Sequence, residues 1–184
     1  APCYSLGSQP KGANVDLVDL PRIDAAHEGA VRELLFACEG EFVPPLSARH
    51  STSQSDLGTG ERHSGPQAYF DEMREQPIVL AIQGGDLLGF LSYRPGFVLD
   101  FLPGTSCYVT TVCVDASHRR EGVATALYAH VEALVRPQGV SLRTWSTNLA
   151  QIGALRKRGY ECVRTLPDDR GPGVDTVYFL KRNG

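Results

Sequence analysis

The chain has 184 residues, 42% hydrophobic and 21% charged, a composition that builds a core and excludes a wholly disordered chain. Eighteen Lys and Arg against 21 Asp and Glu give a formal net charge of −3, so no general basic field exists for nucleic acid or an anionic membrane. No run approaches the roughly 18 apolar residues of a membrane span, and 19 Gly with 12 Pro argue against an all-helical bundle.

In chain order, residues 1–13 are rich in Gly, Ser and Pro and read as a mobile tail preceding one domain over 14–184. Residues 15–20 alternate apolar and polar with period two, which predicts a strand. Asp24 is placed to cap a helix running to about residue 39, with Val31, Leu34, Leu35 and Cys38 on one face. Over about 40–66 the periodicity disappears, and the stretch reads as an irregular insertion. It carries Glu41, Arg49, His50, Asp56, Glu61, Arg62 and His63, which either meet a substrate or coat a solvated loop. A short helix is expected over 67–76, with Tyr69 and Met73, or Phe70, turned inward. Strands follow at 78–82 and 87–93, joined by Gln83-Gly84-Gly85-Asp86, a hairpin signal because glycine reaches positive φ cheaply. Pro95-Gly96 is expected to end the second of them. A strand over 107–114, a helix over 120–136, a strand over 140–145, a helix over 148–158 closed by Gly159, and strands over 160–166 and 174–182 complete the chain. Val123, Leu127, Val131, Leu134 and Val135 form the apolar stripe of the 120–136 helix. The order predicts an α/β sheet covered by helices on both faces.

The five cysteines, Cys3, Cys38, Cys107, Cys113 and Cys162, form no C-x-x-C pair and no zinc-ligand spacing, so no metal is expected. Cys113 and Cys162 sit in apolar runs and read as reduced core thiols, which favours the cytoplasm. The first residues lack the basic and apolar segments of a secretory signal.

Chemistry concentrates in residues 112–127, VCVDASHRREGVATAL. An apolar strand runs into a basic turn that opens a helix, whose first N–H groups are unpaired and whose end carries partial positive charge. Gly122 and Ala124 leave that backbone approachable, and Arg119 and Arg120 add formal charge, which together suit a pyrophosphate. There is no G-x-x-x-x-G-K-[ST], and no G-x-G-x-x-G after the first strand. Instead Arg119-x-x-Gly122-x-Ala124 resembles the R/Q-x-x-G-x-G/A signature of the GNAT acetyltransferase superfamily. Trp145 to Asn148, followed by a helix and Gly159-Tyr160, is similar to that family's closing motif. The resemblance spans about residues 15–181.

The resemblance implies a mixed, mostly antiparallel sheet of about seven strands. It also implies acetyl-CoA as co-substrate and direct acetyl transfer to a primary amine of a small molecule or peptide. In those terms Val112, Cys113 and Val114 line the pantetheine, with a strand N–H near Val112 facing the developing oxyanion. Arg119, Arg120, Gly122, Val123, Ala124 and Thr125 hold the pyrophosphate, and Asn148 contacts the pantetheine or a water. Two departures stand out. Leu155 occupies the position where the family commonly carries its Tyr acid, and Thr110 and Ser106 the positions where it often carries a Glu base. Asp100, Glu41, Thr110, His50 and His63 are the substitutes to consider, Tyr108 and Tyr128 are donors that otherwise belong to the core, and His118 either faces solvent or meets a CoA phosphate. Cys107 lacks the partners of a nucleophile, and Trp145 is expected in the sheet core. Glu39, Glu41, Asp71, Glu72 and Glu75 tilt the acceptor toward a cationic amine. No nucleic-acid or membrane partner is expected, a homodimer is compatible with the family, and a non-catalytic acyl-CoA-binding sensor is the alternative function.

Overall fold

The computed structural model describes residues 15–54, 57 and 65–182. The expected tail over 1–13 and Asp56, Glu61, Arg62 and His63 lie outside the described residues. Seven strands form one sheet: β1 (Asp16–Leu20), β2 (Ile78–Gln83), β3 (Asp86–Val98), β4 (Thr105–Val114), β5 (Val140–Trp145), β6 (Glu161–Leu166) and β7 (Thr176–Lys181). Their spatial order is β1-β2-β3-β4-β5-β7-β6, and only the β4–β5 pair is parallel. Four helices, α1 (Glu28–Cys38), α2 (Gln67–Met73), α3 (Val123–Leu134) and α4 (Leu149–Lys157), cover it.

Strand alternation divides the core. In β2, Val79 and Ala81 join the cluster packed under α3 and α4 with Leu127, Val131, Leu155 and Phe179. Ile78 and Leu80 face the other way, against Val31, Leu35, Tyr69, Phe70 and Met73 of α1 and α2. Helices therefore lie on both faces, as the sequence predicts.

Several boundaries differ from expectation for identifiable reasons. Helix α1 begins at Glu28 because Asp24 builds a separate turn, its Oδ1 accepting from His27 N at 3.0 Å. Pro95-Gly96 does not end β3: the register shifts between Arg94 and Phe97, Gly96 takes φ +65°, and pairing resumes to Val98. Helix α3 starts at Val123 and not at residue 120, since Arg120 (φ +66°) and Gly122 (φ +91°) are left-handed. Leu134 is half exposed and drops out of the predicted stripe, whose place Tyr128 and Glu132 take. Cys162 is exposed because β6 is the sheet edge, whereas Cys38, Cys107 and Cys113 are buried free thiols.

Candidate active site

Strands β4 and β5 pair only at Cys107↔Val140, Tyr108↔Ser141 and Val109↔Leu142. Beyond that point β4 continues for five residues to Val114, roughly 17 Å at 3.3 Å per residue, and its side toward β5 has no partner strand. The opening belongs to a cleft of about 560 Å³.

A bulge sets what β4 shows to this opening. Ser92 pairs with Thr111 and Tyr93 with Val109, so Thr110 stands unopposed. Before the bulge, Cys107 N–H points to the β5 side, donating to Gly139 O at 2.8 Å; after it, Asp115 N–H points to β3, donating to Leu88 O at 2.8 Å. Alternation then turns the N–H groups of Val112 and Val114 toward the cleft. Three further donors follow from α3, whose first backbone bond is Ala126 N to Gly122 O at 2.9 Å. The N–H groups of Val123, Ala124 and Thr125 are left without a helical acceptor.

The turn before α3 is held tightly. A Cβ on Gly89 would come within 2.8 Å of Cys113 O and 3.1 Å of Val123, so β3 can pass beneath the helix start only as glycine. At Gly122 the constraint is different: a Cβ would touch nothing within 4 Å, and the left-handed φ is what selects glycine. Arg119 donates through Nε to Val114 O at 3.3 Å and pairs with Glu41 at 2.7 Å. That bond raises the Arg119 pKa above its ordinary value.

Along the α3–α4 wall, Asn148 caps α4, accepting from Gln151 N at 3.3 Å, while its amide donates to Gln151 Oε1 at 2.9 Å. Gln151 Nε2 in turn donates to the Tyr128 hydroxyl at 3.3 Å, a bond that leaves the phenol's own proton free to be given away. Burial pushes Tyr128 up to about 12. Leu155 is buried in the same wall.

A different chemistry lies where β4 and β5 part. Arg49 and Arg170, each only 6% exposed, line the cleft together with Arg143. Arg49 donates to the Val43 and Pro44 carbonyls, Arg170 to Val43 O and Thr176 Oγ1, and Arg143 to Gln54 O at 2.6 Å. None of the three forms an ion pair with a described carboxylate. Burial, reinforced by the neighbouring guanidiniums, lowers Arg170 to about 9; burial lowers Arg49 to about 10. Arg143 stays above its ordinary value: burial is outweighed by Tyr108 and Tyr178. Phe42 and Trp145, with ring centroids 6.0 Å apart, stand beside them.

Residues 45–160 match the model of the acetyltransferase (GNAT) family. The chain belongs to that family. The GNAT fold is shared with an aminoglycoside 6′-N-acetyltransferase solved with coenzyme A (17% identity, 92% of this chain and 97% of that one, TM-score 0.66). An N-acetyltransferase from Staphylococcus aureus is similar at 13% identity, 92% and 99% coverage and TM-score 0.64. A ribosomal-protein-alanine N-acetyltransferase from Brucella melitensis is similar at 17% identity, 90% and 99% coverage and TM-score 0.62. No curated protein matches the sequence significantly.

Within this GNAT chain, Val112, Cys113, Val114, Arg119, Arg120, Ala124, Thr125 and Asn148 all border the cleft, and Gly122 and Val123 border an adjoining hollow of about 170 Å³ at the helix mouth. The expected catalytic set does not assemble. Asp100 is 90% exposed on its side chain, lies beside Arg164 at 3.8 Å and does not border the cleft. Glu41 reaches the cleft but is engaged by Arg119. Thr110 borders it too, yet its hydroxyl bonds Gln76 Oε1 at 2.7 Å and Ser92 Oγ at 2.8 Å. His50 and Ser106 do not border it, and Ser106 is buried against Ser141. His118 pairs with Glu121 at 3.0 Å at the exposed rim. Cys107 is held up to about 12 by burial, and Tyr108 is core. Trp145 is only partly buried and lines the cleft, contrary to the core placement expected for it. Two thiols meet in the cleft: a hydrogen bond from Cys113 lowers Cys38, while burial first and Cys38 second push Cys113 well above its ordinary value. Sequence reading passed over Arg143 and Arg170, and left Arg49 as one polar residue of a loop; nothing local marks them, because they converge from residues 49, 143 and 170.

Proposed function

We propose that this GNAT chain is an acetyl-CoA-dependent N-acetyltransferase that passes the acetyl group directly to the primary amine of a small molecule or peptide. The observation carrying the reading is one continuous row of unpaired donors: Val112 and Val114 N–H on β4, then the first amides of α3 flanked by Arg119 and Arg120. Such a row fits a ligand whose amide-rich arm adds to β4 as a strand would and whose diphosphate caps a helix. Acetyl-CoA would supply the activated acetyl thioester.

The protein's own groups then divide the work. Val112 N–H is a fixed dipole at the splay, suited to charge that develops on a carbonyl oxygen. Tyr128, neutral through physiological pH, offers its proton as a hydrogen bond to a departing sulfur. Complete transfer from a group near 12 to a thiolate of ordinary pKa about 8.5 is uphill, so Tyr128 stabilises the thiolate and water completes its protonation. Among the described residues the carboxylate that borders the cleft, Glu41, is engaged by Arg119 and is not free to serve as base. The positive field of Arg49, Arg143 and Arg170 instead favours the neutral, nucleophilic form of an amine beside them.

Leu155 in the acid's usual place favours the second reading, a non-catalytic acyl-CoA-binding module. Calorimetry with acetyl-CoA, followed by thiol release across a panel of amines, decides between them. Tight binding with release for at least one amine class supports the enzyme, and tight binding with none supports the module. Absence of acetyl-CoA binding overturns both.

A further inference from the structure

The geometry points to an acceptor that carries an anion, a carboxylate on the same molecule as its amine, seated on Arg49, Arg143 and Arg170. This rests on the acetyl-transfer reading above and narrows it to amino-acid-like acceptors.

Three observations carry it. Guanidinium groups are costly to bury without counter-charge, yet Arg49 and Arg170 are more than nine-tenths buried and are met by backbone carbonyls, one hydroxyl and the Phe42 and Trp145 ring faces, with no described carboxylate paired to either. Burial first, and the neighbouring guanidiniums after it, lower Arg49 and Arg170, so both positive charges sit in an environment without a matching anion. Each guanidinium has five N–H donors, and the bonds formed leave Arg49 Nη1 and Arg170 Nη2 unspent, while Arg143 spends Nη1 on Gln54 O and also engages the Tyr178 hydroxyl. The single side-chain nitrogen fully buried and unpartnered among the described residues is Arg94 Nε, so the unspent nitrogens keep access to the cleft they line.

Position assigns this site to the acceptor. Arg143 follows Leu142, the last residue of β5 paired with β4, while the diphosphate donors begin past Val114 at the strand's far end. On β5, Leu142 packs under α3 and α4, so alternation sends Arg143 through to the opposite face, where it meets the 40–54 segment. The acids expected to attract a cationic acceptor are engaged elsewhere. Glu39 holds Ser47, Asp71 accepts from Gln67, Glu72 binds Arg94 and Thr52, Glu75 faces Arg22 and Arg74, and Glu41, which does border the cleft, is paired with Arg119. Phe42 and Trp145 give the body of the acceptor an apolar wall. The expected cationic preference is thereby reversed.

A carboxylate could also arrive on the acyl chain of a dicarboxylic acyl-CoA, and the test separates the two sources. With the full chain and acetyl-CoA, compare L-phenylalanine, its amide and phenethylamine as acceptors. In parallel, titrate the protein calorimetrically with N-acetyl-L-phenylalanine and with N-acetyl-L-phenylalaninamide, which need no turnover. The expected result is roughly a 30-fold or greater advantage for the carboxylate member in each series. Arg143→Gln should collapse that ratio while acetyl-CoA affinity stays within about twofold; should the variant fold poorly, the two wild-type series stand alone. Equal or better handling of the amide and the amine overturns the inference and leaves N-acetyl transfer standing. Succinyl-CoA favoured over acetyl-CoA, with indifference to the acceptor's carboxylate, moves the anion to the acyl chain and also overturns it. If no amine is acetylated but acetyl-CoA and the N-acetyl acid both bind, the anion site survives and the enzymatic reading fails.

Discussion

The two ends of the cleft both bear positive charge, and they are built in opposite ways. At the α3 end the donors are backbone amides from one contiguous stretch, and their two arginines lie near the surface, Arg119 with 40% of its side chain exposed. At the other end the charge is carried by side chains from three separate segments, sunk in protein and braced on the Val43, Pro44 and Gln54 carbonyls. A backbone cradle tolerates any ligand of the right shape and charge, because its donors are fixed by the helix itself. Buried guanidiniums discriminate, since leaving them without a matching anion is costly. One end thus suits a co-substrate common to a family, and the other a partner particular to this chain.

The largest expected effect tests the frame that holds both ends in place. Glu132 is buried between α3, α4 and β7, accepting from Arg158 at 2.8 Å, Lys181 at 2.7 Å and Tyr160 at 3.0 Å. Glu132→Ala strands two cations and should cost about 3–5 kcal/mol by denaturant unfolding. Burial pushes the Glu132 carboxyl up, but Lys181, Arg158 and Tyr160 more than reverse this and leave it below its ordinary value. Its stabilisation should therefore be full above the unfolded pKa, about 4.3, and be lost as pH falls through the lower folded value. The gap in unfolding free energy between wild type and Glu132→Gln should accordingly narrow in acid.

Next, Gly122→Glu forces a side chain into a left-handed position and sets a carboxylate at the helix mouth. Acetyl-CoA affinity by calorimetry should fall roughly 100-fold or more, while Gly122→Ala isolates the backbone part. Binding unchanged by the Glu substitution would remove the α3 end from the comparison. Tyr128→Phe should lower kcat about tenfold with KM little altered, as expected for a hydrogen bond that matters only as the thiolate leaves. The smallest effect comes from Glu41→Gln, which frees Arg119 from its competitor. Acetyl-CoA should bind about two- to threefold tighter at low salt, with the gain fading at high salt as exposed charges are screened.

Legibility in the sequence follows the same division. The succession of strands and helices was readable because each element carries its own period, and the α3 cradle because its donors sit within one short run of residues. Helix boundaries slipped where the backbone turns left-handed, at Arg120 as well as Gly122, a conformation that the sequence advertises only through the glycine. Pro95-Gly96 looked terminal because local turn chemistry cannot reveal that β4 waits across the bulge to resume pairing. Trp145 was expected in the sheet core, yet the splay that leaves it facing the cleft depends on β4 departing, which is a tertiary event. The arginine cluster was invisible for the same reason.

The unopposed Thr110 makes the binding edge a matter of odd and even. Were Thr110 drawn into regular pairing opposite Ser92, composition and strand length would be unchanged, yet every downstream peptide would rotate by half a turn relative to β3. The amides now aimed at the gap would be spent on β3, and side chains of Cys113 and its neighbours would exchange faces. The place for a guest strand is thus held open by one irregularity of pairing, not by the identity of the residues that follow it.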